Sequence, residues 1–266
     1  MNDAGFLFLF IAATAICGYY FRLLTSSGSI AAFIAGLIIG LGFGVKGLLV
    51  LGFFFASSSL WSKFKRRNKV KIEQKHEKGS RRDWVQVVAN GGTAALFSIL
   101  YLASPQEIWF YGFAISIAAA NSDTWASEIG STSKQAPIFI RSMRQVDAGT
   151  SGAVSVLGTF AALCGSFSVA ILCFYLFPIS FTGLLIIFVF GFVGNIIDTM
   201  FGAFIQVVYQ CKICGAEVEA SNHCGKRTIY KRGLIMMNND IVNFSSGFLA
   251  ALLGLLFLLL VGTING

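Results

Sequence analysis

The sequence has little proline, little histidine and little charge for its length. Only 3 of its 266 residues are proline, 2 are histidine and 12% are charged, whereas a soluble domain carries about 25% charged residues. This balance argues against a soluble globular protein. The hydrophobic content of 56% and the mean hydropathy of +0.74 indicate a membrane protein. With two histidines, no Ser–His–Asp arrangement can be recognised.

The sequence also lacks a removable signal peptide and a recognisable nucleotide-binding loop. The first residues, Met1 to Asp3, carry no positive charge and no small-residue cleavage site follows them, so we expect a retained first helix and not a removable signal peptide. The stretch Gly42–Gly47 matches G-x-G-x-x-G but no strand precedes it, and we interpret it as a turn between spans. Gly225-Lys226 lacks the earlier glycine and the following hydroxyl residue of a Walker-type loop.

Apolar stretches of about 20 residues, the length that crosses a bilayer, recur along the chain. We therefore expect an all-α, polytopic membrane protein that forms a single integral-membrane domain over residues 1–266. About eight transmembrane helices are predicted. The expected spans are 4–22, 28–43, 46–62, 84–103, 107–129, 152–177, 182–208 and 240–263.

Positive charge is concentrated in one segment, residues 63–83, which holds ten Lys and Arg against three acids. Because cytoplasmic loops carry an excess of basic residues, we predict a basic cytoplasmic loop there. Alternation of the spans also places the loops 131–151 and 209–238 in the cytoplasm, and both carry further positive charges, whereas 104–106 and 178–181 carry none. We expect both termini outside, in the plasma membrane of a prokaryote.

Nucleic-acid binding is the alternative interpretation of the basic segment 63–83. Neither aromatic residues interleaved with the charges nor a nucleic-acid-binding motif accompanies it. We therefore predict no nucleic-acid partner, and we expect the segment to contact anionic lipid headgroups at the membrane surface.

Polar side chains gather at the expected cytoplasmic ends of the spans, and the opposite ends are nearly free of them. The stretch Asn121–Gly130 follows directly on an apolar run, Ile108–Ala120, and contains two carboxylates. Ionisable groups in membranes are rare and mark functional sites; the alternative is a helix end whose acids face solvent. The carboxylates and amides of this one-sided set are Asp83, Gln86, Asn90, Asn121, Asp123, Glu128, Asp147, Asp198, Gln206, Asn238, Asn239, Asp240 and Asn243.

These residue types suit a hard metal ion and a phosphate ligand. Carboxylates and amides are oxygen ligands, which Mg²⁺ prefers while it bridges substrate phosphates. The stretch Gly149-Thr150-Ser151-Gly152 offers N–H groups and hydroxyls at the expected start of a helix, where anions bind. Arg141 and Arg144 are candidate phosphate clamps. Together these parts predict a phosphoryl-transfer site. The alternatives are an ordinary N-cap and turn, and a solvated positive loop.

The loop 209–238 contains a candidate zinc site. Cys211-x2-Cys214 is a common first half of such a site, and the adjacent His223-Cys224 is a less usual second half that leaves the fourth ligand open. In a reduced cytoplasmic loop a metal is the better use of these thiols than a disulfide. We predict a structural Zn²⁺; the alternative is free thiols and a lone histidine.

Four ordered motifs resemble one known family. They are Arg82–Gly92, Asp123–Gly130, Gly149–Gly152 and Asn238–Asn243. Their sequences resemble the membrane family called domain of unknown function 92, which includes transmembrane protein 19 and the plastid phytyl-phosphate kinase. The resemblance extends from the second span to the end of the chain. The third motif often reads Gly-Thr-Asn-Gly-Gly in that family and ends in Ser-Gly-Ala here, which loosens the phosphate-cradle assignment.

The resemblance implies a multi-pass transferase that phosphorylates an isoprenyl monophosphate to the diphosphate with a nucleoside triphosphate. We therefore expect a membrane lipid kinase whose phytyl-like or polyprenyl substrate lies between helices, with its phosphate beside Mg²⁺ at the cytoplasmic interface. The alternative is a transporter or flippase of a phosphorylated lipid or an ion, for which charges at the midplane would argue. A structural subunit whose polar face binds a partner is a weaker third hypothesis.

The expected roles of the residues follow from this hypothesis. The catalytic acids are expected to be Asp123, Glu128 and Asp198, which also bind Mg²⁺, followed by Asp83 and Asp240. The residues expected to bind substrate or phosphate are Asn90, Asn121, Arg141, Arg144, Gly149, Thr150, Ser151, Asn239 and Asn243. The expected zinc ligands are Cys211, Cys214, His223 and Cys224.

Overall fold

The computed structural model describes residues 3–64 and 81–261, which are mostly helical. The greater part of the expected basic loop, residues 65–80, lies outside the described residues. Within them the chain forms seven helices: α1 (Asp3–Tyr20), α2 (Ser26–Lys63), α3 (Trp84–Ala103), α4 (Glu107–Gly130), α5 (Val156–Leu176), α6 (Phe181–Phe204) and α7 (Asn239–Val261).

Five of these helices, namely α2, α3, α5, α6 and α7, are long and apolar enough to cross a membrane. The apolar part of α1, Leu7–Tyr20, is shorter. Helix α4 includes three acids, Glu107, Asp123 and Glu128, and lies in the interior of the bundle. These lengths and compositions confirm the expected polytopic membrane protein.

The second helix has two arms, and this explains why seven helices replace the expected eight. Gly44 interrupts α2 with a φ of 64° and a ψ of −157°, a conformation that favours glycine. A Cβ on Gly40 would lie 3.4 Å from Cδ1 of Leu48, although residues eight apart in a straight helix are separated by about 12 Å. The chain therefore folds back at Gly44, and the expected spans 28–43 and 46–62 lie in the two arms.

Eight short strands lie in the loops of the described part of the chain, so the expected all-α class describes the helical bundle alone. All strand pairs are antiparallel, in sheets of the order β2-β1-β3, β5-β4-β8 and β6-β7. The strands are β1 (Ile138–Phe139), β2 (Arg144–Gln145), β3 (Ala153–Val154), β4 (Val208–Gln210), β5 (Glu217–Val218), β6 (Asn222–His223), β7 (Lys226–Arg227) and β8 (Ile229–Arg232).

Helix α4 is the centre of the bundle and packs against α2, α3, α5, α6 and α7. Its side chains from Phe110 to Ala119 are buried around the whole circumference, which is the pattern of a helix in a core. Asn121, on the next turn, is fully buried; its Nδ2 donates to the Gly165 carbonyl at 2.8 Å and its Oδ1 accepts from Ser57 Oγ at 3.0 Å. The amide therefore links α4 to α5 and to α2.

Small residues let α4 and α6 approach closely. A Cβ on Gly194 would collide with the Cβ of Ala119 and would lie 3.2 Å from the Cβ of Ala250 on α7. Small side chains at such contacts are typical of packed membrane helices, where they let backbones come close. Since Gly194 is one turn before Asp198, this contact also determines the height of Asp198 in the bundle.

We predict that Gly194→Ala lowers the free energy of unfolding by about 1–3 kcal/mol, because the added methyl overpacks the contact with Ala119. Gly52→Ala is the matched control: it also lies in a helix, but a Cβ there meets nothing within 4 Å, and alanine is the better helix former. Thermal unfolding of both variants in the same detergent measures the difference. Equal melting temperatures for the two variants would contradict the close approach.

Candidate functional site

A cavity of about 370 Å³ opens at the end of the bundle where α4 and α6 end and α3 and α7 begin. This volume is within the range of small-molecule sites, about 300–1,000 Å³. Among the described residues that line it, five are carboxylates and Arg82 is the basic one. Its charged and amide side chains are Arg82, Gln86, Asn90, Asp123, Glu128, Asn195, Asp198, Gln206, Glu219, Asn238, Asn239, Asp240 and Asn243.

The acids of α4 and α6 face this cavity together. Asp198 Oδ2 accepts a hydrogen bond of 3.0 Å from Ser246 Oγ of α7, and Asp123 and Glu219 line the same cavity as Asp198. Glu128 Oε1 accepts a hydrogen bond of 2.6 Å from a hydroxyl at the end of α2, Ser62 Oγ. The structure thus brings Asp123, Glu128 and Asp198, three expected site residues, to one cavity.

Arg82 is a cavity residue to which the sequence interpretation gave no role. Its carbonyl accepts the N–H of Thr25 at 3.0 Å, and its guanidinium lies 5.4 Å from the ring centre of Phe55. The Glu128 carboxylate attracts this guanidinium. A cation at the cavity wall is therefore held in place by backbone contacts, an aromatic ring and an acid. The signal in the sequence was a basic residue inside the Arg82–Gly92 motif.

Asp83 lies at the start of α3, where its side chain caps the helix. Its carboxylate accepts the Gln86 N–H at 2.9 Å, and Gln86 Oε1 accepts the Asp83 N–H at 3.1 Å, which completes a capping box at the start of α3. Asp83 is not among the described residues that line the cavity, whereas Gln86 and Asn90 are. Asn90 Nδ2 donates to the Gln86 carbonyl at 3.0 Å. The expected catalytic acid is a helix cap.

The glycine-rich stretch lines the cavity as a turn and not as a helix N-terminus. Gly149 and Gly152 both have a φ of 80°, which prevents helix from starting there. Helix α5 begins four residues later, where Ser155 Oγ accepts the Gly158 N–H at 3.0 Å. A Cβ on Gly152 would collide with the backbone of Ala203, so this turn lies directly against the end of α6. Thr150 and Ser151 remain at the cavity.

Three other expected residues lie away from the cavity. Arg144 belongs to β2 and Arg141 to the turn between β1 and β2; both are exposed, and neither lines the cavity in the described part of the chain. They are therefore not placed to clamp a phosphate there. Asn121 is buried between helices, where its hydrogen bonds connect α4 to α2 and α5. All three residues are near cavity residues in the sequence, but the side chains of Arg141 and Arg144 are exposed to solvent and that of Asn121 is buried between helices.

The start of α7 contributes the last group of cavity residues. Asn238 Oδ1 accepts the Ile241 N–H at 3.0 Å and so caps the helix. Asp240, 8% exposed, lies in the first turn, where the helix dipole stabilises a negative charge. Asn239 and Asn243 line the same wall. The polar residues of the Asn238–Asn243 motif therefore line the same cavity as Asp123 and Glu128 of α4, as expected.

Glu219 is another cavity residue that the sequence interpretation missed. Its Oε1 accepts hydrogen bonds from Ser151 Oγ at 2.5 Å and from Gln206 Nε2 at 2.8 Å. Gln206 is 1% exposed and follows the last turn of α6. The acid lies in the cysteine-containing loop, which was expected to have a structural role, so only its contacts in the fold identify it as part of the cavity.

The four candidate zinc ligands form a compact cluster in that loop. The ligand atoms of Cys211, Cys214, His223 and Cys224 all lie within 4.8 Å of one another. His223 Nδ1 is 3.5 Å from Cys214 Sγ and 3.3 Å from Cys224 Sγ. Such separations fit ligands at a tetrahedral zinc with bonds of about 2.0–2.3 Å. The cluster could hold a metal such as zinc, and the fourth ligand, open in the sequence, is present.

Local backbone geometry prepares one ligand of the cluster for metal binding. A hydrogen bond from the Cys214 backbone, with others from His223 and from the Ile213 N–H, lowers the pKa of Cys211 to about 6. A lowered pKa favours the thiolate, which is the form that binds metals. Gly215 and Gly225, which follow the two ligand pairs, have φ values of 71° and 74° and close the two turns.

Comparison with known proteins assigns the chain to a family. The family model described as "Integral membrane protein DUF92" matches residues 9–251. The chain belongs to this family. Protein PGR of Arabidopsis thaliana is 30% identical to the DUF92 chain over 265 residues, which cover 90% of each sequence. An uncharacterized membrane protein of Methanocaldococcus jannaschii is 33% identical over 192 residues, covering 70% of this chain and 76% of the relative.

A third relative of the DUF92 chain is Protein VTE6, chloroplastic, of Arabidopsis thaliana. It is 27% identical over 244 residues, which cover 89% of this chain and 66% of the relative. No solved structure matches the chain. The family predicted from the four motifs is therefore confirmed.

We predict that the purified DUF92 protein contains one zinc ion per chain, and that Cys214→Ser loses it because three ligands bind zinc more weakly than four. Cys17→Ser is the matched control, since Cys17 lies in α1 outside the cluster. Atomic emission measurements of metal per protein test both variants. Zinc retained in full by Cys214→Ser would show that the cluster is not the zinc site.

Proposed function

We propose that this DUF92 protein is a membrane lipid kinase that phosphorylates an isoprenyl monophosphate, with a phytyl-like or polyprenyl chain, to the diphosphate. Nucleoside triphosphate is the proposed donor. The observation that carries the proposal is the cavity, where five carboxylates and one arginine from separate segments face one space. The motifs resemble the family as a whole, and one branch of that family contains the plastid phytyl-phosphate kinase, which supports the same activity.

The donor set of the cavity fits a hard divalent cation. Carboxylate and amide oxygens are the ligands of Mg²⁺, and a cation bound among Asp123, Asp198 and Glu219, which line one cavity, would offset the repulsion between their like charges. In this proposal Asp123, Glu128 and Asp198 hold Mg²⁺. When bound, the ion neutralises negative charge on the phosphates of the nucleotide. The catalytic and metal roles of these acids are part of the proposal.

Arg82 takes the role that the sequence predicted for Arg141 and Arg144. A guanidinium that faces a phosphate donates two parallel hydrogen bonds and stabilises charge that develops during transfer. Arg82 and Glu128 line the same cavity, where the charge of the acid would help to orient the guanidinium. Asn90, Asn239 and the turn with Ser151 supply neutral donors on the other walls.

The depth of the site suits a substrate with an ionic head and an apolar tail. Asp123 lies seven residues before the end of α4, or about 10 Å along the helix at 1.5 Å per residue. The cavity thus lies near one end of the bundle, short of its middle. A prenyl chain would lie between helices in the bilayer with its phosphate in the cavity. We place this end in the cytoplasm, where nucleotide is available, and both termini outside.

The proposed reaction is one displacement at phosphorus. An oxygen of the isoprenyl monophosphate attacks the γ-phosphorus of the nucleoside triphosphate, and a new P–O bond forms. The bond from the γ-phosphorus to its bridging oxygen breaks, and the nucleoside diphosphate leaves with that oxygen. Because the attacking phosphate is already ionised, no general base is assigned, and the residues of the chain act by positioning and by neutralising charge.

The direct test is turnover by the purified protein in detergent. Phytyl monophosphate and prenyl monophosphates of increasing length are offered with ATP, GTP, CTP or UTP and Mg²⁺, and the diphosphate product is measured. The proposal expects product with at least one pair. Movement of labelled lipid phosphate across a proteoliposome membrane without nucleotide consumption would instead support the transporter. The position of the acids near one end of the bundle, and not at the midplane, favours the kinase.

We expect Asp123→Asn to abolish turnover, a loss of roughly 10³-fold, because it removes a carboxylate from the proposed cation site. The melting temperature should stay near that of the wild type, since the amide has the same shape. Glu107→Gln is the matched control: this acid lies in the first turn of the same helix, at the opposite end from the cavity. Full activity of Asp123→Asn would show that the assignment of this residue is wrong.

Arg82→Ala should lower kcat/KM for the nucleotide by about 10²-fold, because it removes the cation that faces the proposed phosphate site. Arg82→Lys should recover part of the loss. Arg81→Ala is the neighbouring control, and Arg141→Ala and Arg144→Ala are controls for the positions that the sequence alone favoured; all three should stay near wild-type activity. A larger loss in Arg141→Ala or Arg144→Ala than in Arg82→Ala would reverse the assignment.

A further inference from the structure

The position of Glu219 in the chain connects the cavity to the cysteine cluster. Glu219 is five residues after Cys214 and four residues before His223. The two halves of the cluster therefore bracket the segment that carries this acid. When the four ligand atoms are held together, as they are here within 4.8 Å, both ends of the segment 214–223 are brought to one place, and Glu219 lies at its middle.

The other side of Glu219 is fixed by the bundle. Its carboxylate accepts hydrogen bonds from Ser151 of the turn before α5 and from Gln206 after α6. The Ser151 turn lies against α6, because Gly202 and Gly152 leave no room for a side chain between them. Glu219 thus joins the cysteine loop, the glycine-rich turn and the end of α6 at one wall of the cavity.

The loop 205–238 has little structure of its own to hold this arrangement. Its strands β4 to β8 are two to four residues long, and its fully buried apolar side chains are few, chiefly Val207, Val208 and Val218. Sheets of such short strands are at best marginally stable alone, and small units of this kind depend on a metal or on disulfides for order. A metal bound by the cysteine cluster would therefore stabilise the folded conformation of the loop.

We propose that a metal bound by Cys211, Cys214, His223 and Cys224 positions Glu219 at the cavity wall, so that loss of this metal lowers the affinity of the cavity for its cation. The four ligands are positioning residues, which act through Glu219. The link to cation affinity rests on the proposed function. The positioning of Glu219 itself does not.

The positioning is tested by hydrogen–deuterium exchange on the full-length protein in detergent, before and after removal of zinc with a chelator. We expect exchange in residues 149–154 to become about tenfold faster or more, because the charge-assisted hydrogen bond from Ser151 is lost. Readdition of zinc should restore the protection. Exchange in residues 108–119 at the centre of α4 should not change, which distinguishes a local effect from unfolding of the bundle.

Two variants supply the matched comparison for this experiment. Glu219→Gln should reproduce the faster exchange in residues 149–154 with zinc still bound. Glu217→Gln should not, because Glu217 is in the same loop but pairs at the surface with Lys231, at 2.7 Å. These variants keep the cluster intact, so they test the link even if cysteine variants fold poorly.

The effect on the cavity is measured with Mn²⁺ alone, by counting free ions in electron paramagnetic resonance titrations. Cys214→Ser and Glu219→Gln should each weaken Mn²⁺ binding by about tenfold, a usual effect of losing an outer contact of a metal site. The double variant should be no weaker than either single variant, because both changes remove the same contact. Cys17→Ser should bind as the wild type does.

The outcomes separate this inference from the proposed function. Unchanged exchange in residues 149–154 after zinc removal, wild-type Mn²⁺ affinity in Cys214→Ser, or additive losses in the double variant would overturn the positioning role. Purified protein without zinc or another transition metal would overturn it as well. Faster exchange in a protein that binds no Mn²⁺ would support the positioning and contradict the cation site of the proposed kinase.

Discussion

The constraint on which this structure depends is the need to provide polar partners for carboxylates on apolar helices. Asp198 accepts a hydrogen bond from Ser246, and Glu128 accepts one from Ser62. In each pair the two residues belong to different helices, so the contacts that stabilise the charges also connect the helix ends. Glu219 likewise accepts hydrogen bonds from Ser151 and Gln206, which belong to two other segments. The cavity therefore gathers carboxylates and also connects segments of the bundle.

Helix α4 connects the polar cavity to the apolar part of the bundle. Its central turns are buried on every side, and its polar end begins at Asn121, whose amide is hydrogen bonded to α2 and α5. Small residues at Gly191 and Gly194 of α6 allow the backbone of α4 to come close, which places Asp198 opposite the acids of α4. The close packing of the apolar turns of α4 and α6 thus determines where the acids at the ends of these helices lie, because the packed helices are rigid over this distance.

Much of the helical architecture could be predicted from the sequence because the length of a crossing helix is set by the bilayer. In the described residues, seven helices occupy the expected spans, and the turn at Gly44 explains why two of these spans belong to one helix. The gathering of acids at one end was also predictable, since alternation of spans assigns each helix end to a side. The short strands could not be predicted, because two to four residues are too few to show the alternation of apolar and polar residues that indicates a strand.

The sequence by itself determined the helical class, the family and the end of the bundle at which the acids meet, because these follow from hydropathy, ordered motifs and alternation. Only the tertiary structure decided which polar side chains share the cavity. Asp83 is turned to its own helix as a cap, Arg141 is exposed, and Arg82 and Glu219 face the cavity. The reason is that a side chain's direction depends on caps, turns and packing contacts between distant segments, and these are formed only when the chain has folded.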